Sequence, residues 1–152
     1  MSYEETLIML KPAAFERKLA RHLITRFTEI PLTVIKTRLV RKPLVSVLER
    51  HYPEEEFLNK DRPFSRARII KYCASGPLFL LILGGDAAIE KAREVKGHSN
   101  PEKAAPGTIR SLVDDTIAAA DARQEAYRDL VHTADTHEEA ARQIRLWFNI
   151  GA

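Results

Sequence analysis

Thiols are nearly absent from this chain: its one cysteine, Cys73 in "IIKYCASGP", cannot close an internal disulfide. No second thiol and no nearby ligand set that would suggest zinc accompanies it, and Cys73 reads as core filler. Long hydrophobic runs are missing too. The longest, "PLFLLIL", has seven residues against the ~18 a membrane span needs, and the opening "MSYEETLIMLKP" carries two glutamates, unlike a signal or transit peptide. A soluble, cytoplasmic protein with no membrane partner is expected. Neither charge sign dominates: 24 basic residues face 21 acidic ones, and the net +3 draws small anions without demanding a polyanion. Aromatic residues make up 7%, and the strand-like stretches "LTVIKTRLV" and "PLFLLILGG" lack the paired aromatics of an RNA-binding sheet, so no nucleic acid partner is expected. Repeats, low-complexity tracts and linkers are also lacking. What is present, 152 residues with 45% hydrophobic content, suits one domain over residues 1–152.

The order of elements follows from periodicity. "ETLIML" (5–10) predicts a strand stopped by Pro12, and Phe15, Leu19, Leu23, Phe27 and Ile30 predict one long amphipathic helix ending near Pro31. The β-branched residues of 32–40 predict a strand; 43–52 predicts a helix with Pro43 at its first position; Phe64 to Ala74 predicts a second short helix. A buried strand follows over 75–85, then a helix over 86–95 with Asp86 as N-cap, then a short strand over 129–135. Thr136 to Glu139 fits a capping box for a last helix that buries Ala140, Ile144, Trp147 and Phe148. Four strands interleaved with helices predict an α+β fold, a ferredoxin-like split βαβ sandwich whose four-stranded antiparallel sheet is covered by helices.

A few polar residues stand where a core builder would not put them. Lys11 shares strand parity with Leu7 and Met9, so a lysine ends an apolar face, although a strand-end lysine also reaches solvent readily. His132 lies between Val131 and Thr133 in an apolar strand, where an imidazole is more often a satisfied core group than a nucleophile. Gln143 shares a helix face with Ala140, Ile144 and Trp147, and an amide aimed at the core needs a partner there, which His132 can supply. A neutral imidazole can carry a phosphoryl group when one nitrogen attacks and the other is held by an acceptor. The negative oxygens of that group then need cations, and Lys11, Arg93 and Arg110 stand at three separate element ends. Each also reads as an ordinary solvated charge. His22, His98 and His137 have surface, boundary, loop or helix-start contexts, His51 precedes Tyr52, and none has metal-ligand spacing.

Taken in order, "TLIMLKP", "HY", "RPF", "SGP", "NPEKAAPGTIR", "VHTAD" and "LWF" resemble the nucleoside diphosphate kinases over nearly the whole chain. The resemblance implies an enzyme that passes the γ-phosphate of a nucleoside triphosphate to a nucleoside diphosphate. It implies a ping-pong route through a phosphohistidine at His132, with Mg²⁺ arriving on the nucleotide. It further implies that Lys11, Arg93, Ser99 and Arg110 grip phosphates, that Tyr52 stands beside the histidine, and that Phe64 stacks on the base. No dedicated metal site and a homo-oligomeric assembly are implied as well.

Departures from the family pattern cluster around the histidine. Asp129 replaces an asparagine, Ala134 a serine, Ala13 an acidic residue, Ser99 a threonine, and Gln143 the glutamate that orients the imidazole. Glutamine still accepts a hydrogen bond but brings no charge, and Asp129 repels a triphosphate unless it faces away or helps hold Mg²⁺. Phosphoryl transfer slower than in a typical member is therefore expected. The alternative is a weakly active or non-catalytic nucleotide-binding or assembly module on the same scaffold. The stretch 111–128, with "DDTIAAADARQEAY", is longer than the family pattern, and its alanines predict an extra turn or two of helix in an enlarged loop before the last strand.

Overall fold

Strand β1 (Tyr3–Leu10) sends Leu7 and Met9 to one face and Ile8 and Leu10 to the other, and all four are fully buried. A strand buried on both faces belongs inside a covered sheet. In the computed structural model, which describes residues 2–58, 62 and 64–148, β1 pairs antiparallel with β3 (Leu78–Asp86) and with β4 (Val131–Thr133). β2 (Thr33–Val40) adds outside β3, giving the order β2-β3-β1-β4 of the expected four-stranded antiparallel sheet. Pro63 of "RPF" and both ends of the chain lie outside the described residues.

Helices cover both faces. Ile8 and Leu10 pack with Leu23 and Phe27 of α2 (Ala20–Thr28), which follows α1 (Pro12–Glu16). Leu7 and Met9 pack with Leu48 of α3 (Val45–His51), Cys73 of α4 (Ser65–Ala74) and Trp147 of the last helix (His137–Phe148). Complete burial of a side chain such as Leu23 or Phe27 contributes about 1.5–3 kcal/mol. α5 (Ala88–Lys96) lies against β1 and β4, and α6 (Ile117–Arg123) is the helix of the enlarged loop, capped by the Thr116 hydroxyl on Ala119 N–H at 3.0 Å. With α6 counted, the last helix is α7. No helix among the described residues is long and apolar enough to cross a membrane.

Several local expectations need correction. The single helix expected from Pro12 onward is broken: Lys18 adopts φ +58°, Leu19 N–H reaches back to Ala14 O at 2.8 Å, and Lys18 N–H to Phe15 O at 3.0 Å. That is a Schellman ending, which usually takes glycine, so a lysine there leaves no mark in the sequence. Leu19 then starts α2 while still packing on the same core. Asp86 ends β3, and the N-cap of α5 is Ala87 at φ +52°. Pro43 precedes the N-cap Leu44, so it lies just outside α3. β4 is shorter than the expected strand because only Val131 to Thr133 finds partners on β1.

Two consequences position the site. Met9 lies directly opposite His132, so the imidazole shares a face with Met9 under α7. Proline restricts the residue before it to extended backbone, and Lys11, preceding Pro12, has φ −97° and ψ 168°. Lys11 therefore continues the parity of β1, with its N–H bonded to Leu130 O at 2.9 Å.

Candidate active site

A cavity of about 760 Å³ opens on this face, lined among others by Lys11, Tyr52, Arg110 and His132. Its geometry can be built from the imidazole outward. Gln143 donates from Nε2 to Glu139 Oε1 at 2.9 Å, one helical turn earlier on α7, and a carboxylate only accepts. The Gln143 amide oxygen is thereby turned to the ring, 3.0 Å from His132 Nε2, so Nε2 must donate. The lone pair then belongs to Nδ1. Burial lowers the pKa of His132 to about 3; the Lys11 and Lys96 charges add to the drop, while the Gln143 bond and Asp129 oppose it. His132 is a neutral imidazole with a fixed tautomer.

Beneath it lies a buried charge cluster. Lys11 Nζ stands 2.8 Å from Asp129 Oδ2, and Arg110 Nε stands 3.0 Å from Asp129 Oδ1 as a charge contact too bent to be a hydrogen bond. Leu130 N–H donates to Asp129 Oδ1 at 2.8 Å. Burial alone raises a carboxyl pKa, but the two cations and these hydrogen bonds outweigh it and hold Asp129 below the ordinary range. Arg110 is delivered by a Pro-Gly turn, with Gly107 at φ +89°, leading into a 3-10 turn over Ile109–Leu112. Its guanidinium also donates to Ser99 O at 2.6 Å and to the Tyr127 hydroxyl at 2.8 Å.

A second histidine completes the wall. His51 packs edge-on against His132 with ring centroids 4.7 Å apart, and its Nδ1 accepts from Trp147 Nε1 at 2.9 Å. That bond leaves the proton on Nε2, which is buried and finds no hydrogen-bond partner among the described residues. Burial, then competition with protonation of the neighbouring His132 and the Lys11 and Arg142 charges, pushes the His51 pKa well below its ordinary value.

Comparison with known proteins decides the family. Residues 4–151 match the family model described as nucleoside diphosphate kinase. The chain belongs to the nucleoside diphosphate kinase family. A nucleoside diphosphate kinase of Pyrobaculum aerophilum is 35% identical over 179 aligned positions, covering 97% of this chain and 96% of that protein. One of Staphylococcus haemolyticus is 32% identical, covering 95% and 87%. The crystal structure of a Pyrobaculum aerophilum NDP kinase superposes with a TM-score of 0.87 at 31% identity, covering 97% of this chain and 96% of that one. A Borrelia burgdorferi nucleoside-diphosphate kinase at 23% identity shares the fold, with a TM-score of 0.89 and coverage of 96% and 87%.

Of the residues singled out in the sequence, Lys11, Tyr52, Ser99, Arg110, Asp129, His132 and Gln143 line this one cavity. Two do not. Arg93 is 53% exposed and pairs at 3.2 Å with Asp135, which does line the cavity, so it stands one residue behind the wall. Phe64 is 46% exposed, and Arg68 and Arg62 stack over it at 4.3 and 5.1 Å while both pair with Asp121 of α6. Ser99 contributes its carbonyl to Arg110 and Tyr127. Asp129 neither faces away nor is free for a metal: both its oxygens are taken by Lys11 and Arg110. Lys11 is 3% exposed rather than solvated.

Sequence reasoning missed His51, Tyr127 and Glu139 as parts of the site. Glu139 precedes Gln143 by one turn, a spacing that was legible on a helix. No group of three histidine, cysteine or acidic side chains among the described residues can hold a metal. That donor set fits a divalent ion carried mainly by phosphate oxygens, since Mg²⁺ needs only one or two carboxylates beside its substrate. Asp135, 58% exposed at the cavity edge, offers one.

His51, which is buried, and His132, which is partly buried on the cavity wall, together predict a pH-dependent stability. With folded pKa values below the unfolded value of about 6.5, each binds a proton only in the unfolded chain between the two values. Stability is fully present above about pH 6.5 and drains as the pH falls through that window. Both shifts act in the same direction, so denaturant titrations from about pH 6 to about pH 4.5 should show stability falling by roughly 1 to 3 kcal/mol per pH unit. Asp129, with its depressed pKa, adds its own loss only below about pH 4. His132→Asn should make the slope shallower; a flat profile in the parent protein contradicts a pair of imidazoles held neutral by the fold.

Proposed function

We propose that this chain, one domain over its length, works as a nucleoside diphosphate kinase with His132 as the phosphate carrier. One observation supports this above the rest: a neutral imidazole, its tautomer fixed by Gln143, shares a cavity with the buried cations Lys11 and Arg110. The Nδ1 lone pair attacks the γ-phosphorus of a nucleoside triphosphate, the N–P bond forms as the bond to the bridging β–γ oxygen breaks, and the nucleoside diphosphate leaves. Nε2 keeps its proton, held by Gln143 Oε1. A terminal phosphate oxygen of a second nucleoside diphosphate then attacks phosphorus and the N–P bond breaks. Lys11 and Arg110 stabilise the charge spread over the equatorial oxygens. Mg²⁺ bound to the nucleotide adds charge neutralisation there.

Arg93 pairs with Asp135 at the cavity edge and in this reading turns to the phosphate tail when nucleotide binds, Ser99 and Tyr52 line the cavity, and Phe64 offers a stacking face that reads no base identity. Asp129 cancels part of the positive charge offered to phosphate, which favours turnover slower than in a family member carrying a neutral amide there. The same observation supports the second reading, a nucleotide-binding module that has lost the chemistry. The mild charge balance and the lack of a spanning helix among the described residues suit the cytoplasm.

Assembly into a homo-oligomer follows from β2. This edge strand is exposed nearly throughout, with Val34, Ile35 and Leu39 at 40%, 43% and 45%, and an edge carrying apolar side chains and unpaired backbone groups invites a second copy. Sedimentation of the parent protein should show an oligomer that Ile35→Glu weakens; a monomer at ~10 μM contradicts it. For the chemistry, incubation with γ-labelled ATP and Mg²⁺ should give acid-labile, base-stable label on the native protein and none on His132→Ala. Chasing with a second nucleoside diphosphate should remove the label. Native protein that binds nucleotide yet takes no label overturns the enzyme reading in favour of the binding module.

A further inference from the structure

The family pattern puts a charged glutamate where this chain has Gln143, and that substitution leaves the imidazole with a neutral acceptor. The structure holds a carboxylate nearby that does not come from the same position. Glu139 Oε1 accepts from Gln143 Nε2 at 2.9 Å and stands 3.7 Å from His132 Nε2. Its side chain is 16% exposed, so little water screens it from the ring. We propose that Glu139 is a positioning residue for phosphoryl transfer, acting through Gln143 to orient the imidazole and supplying the negative charge that the glutamine lacks.

Two physical steps lie behind this, and both rest on the reading of His132 as phosphate carrier. An isolated glutamine beside an imidazole can present either its oxygen or its nitrogen, and the two orientations select opposite tautomers of the ring. A carboxylate one turn earlier accepts only, so it takes the Gln143 nitrogen and leaves the oxygen for Nε2–H. As Nδ1 gives its electron pair to phosphorus, positive charge spreads over the ring. Lys11 and Lys96 oppose that charge, the Gln143 hydrogen bond and the more distant Asp129 carboxylate favour it, and Glu139 faces Nε2 itself at 3.7 Å. The Glu139 backbone and side chain are themselves held: its N–H donates to Thr136 Oγ1 at 3.1 Å, and its Oε2 accepts from Asp135 N–H at 3.1 Å. What looks like a capping residue in the sequence thus has one oxygen on the helix entry and the other on the site.

Glu139→Gln tests the idea, since it keeps an oxygen for the Asp135 N–H and removes the charge. The rate of phosphohistidine formation should fall about 10–100-fold with the KM for the nucleoside triphosphate little changed. Nitrogen-15 spectra of His132 should pass from one Nε2–H tautomer in the parent to a mixture in the variant. Exchanging the two residues, Glu139→Gln with Gln143→Glu, puts the carboxylate directly on Nε2 and should restore the rate to within a few-fold of the parent. Glu138→Gln removes the same charge from the same turn and should leave rate and tautomer as they are. An unchanged rate and tautomer in Glu139→Gln, or an equal loss in Glu138→Gln, overturns the role. If the native protein takes no label at all, the carrier reading fails first, and the tautomer spectra alone still decide whether Glu139 sets the ring.

Discussion

Asp129 is 4% exposed, and its two oxygens face Lys11 at 2.8 Å and Arg110 at 3.0 Å, both of which are buried as well. Three charges out of water are costly unless they satisfy one another, and the rest of the site is arranged so that they do. Lys11 comes from the end of β1, Arg110 from the turn after the Pro-Gly bend, and Asp129 from the approach to β4, so the cluster ties three distant stretches into one floor. The Arg110 guanidinium donates from Nη1 to Ser99 O and the Tyr127 hydroxyl, which fixes the loop between α5 and α6 on the same point. His132 sits above this floor, and the positive charge of Lys11 is one reason its imidazole stays neutral.

The arrangement separates two tasks that a phosphate carrier must combine. Nucleophilicity needs a neutral ring with its lone pair on a chosen nitrogen, and burial together with the Glu139–Gln143 chain provides that. Anion binding needs cations within reach, and these have to be kept in place while the cavity holds no phosphate. Asp129 meets that second need at the cost of part of the field that attracts the substrate. A neutral amide at the same position would leave the field stronger and the cations less firmly held.

Much of this was legible in the sequence where a simple period carries the information. Parity along β1 put Lys11 on the apolar face, one of its two readings, and the extended backbone before Pro12 keeps it there; helix phase together with family likeness pointed Gln143 at His132. Capping chemistry and alanine content marked α6 and α7. The break at Lys18 was not legible, since a non-glycine residue in a left-handed ending carries no sequence mark. Nor was the fate of Asp129, because a pairing across 118 residues is decided by the sheet and not by any local pattern. Phe64 was assigned through family likeness alone and Arg93 as an element-end cation as well as through that likeness, and both lie off the cavity wall. Glu139 was read for its helix-entry role, which is real, and that reading hid its second oxygen.

The dependence on the buried cluster is most directly measured by calorimetric unfolding of Asp129→Asn with and without a nucleoside triphosphate and Mg²⁺. Removing one member of a buried charge cluster leaves uncompensated cations, so the free variant should lose about 3–5 kcal/mol. Bound phosphates replace the missing charge, so the stabilisation gained from the nucleotide should be larger in the variant than in the parent. A variant as stable as the parent, with the same gain on adding nucleotide, would contradict the account, because the carboxylate would then not be what holds Lys11 and Arg110 in place.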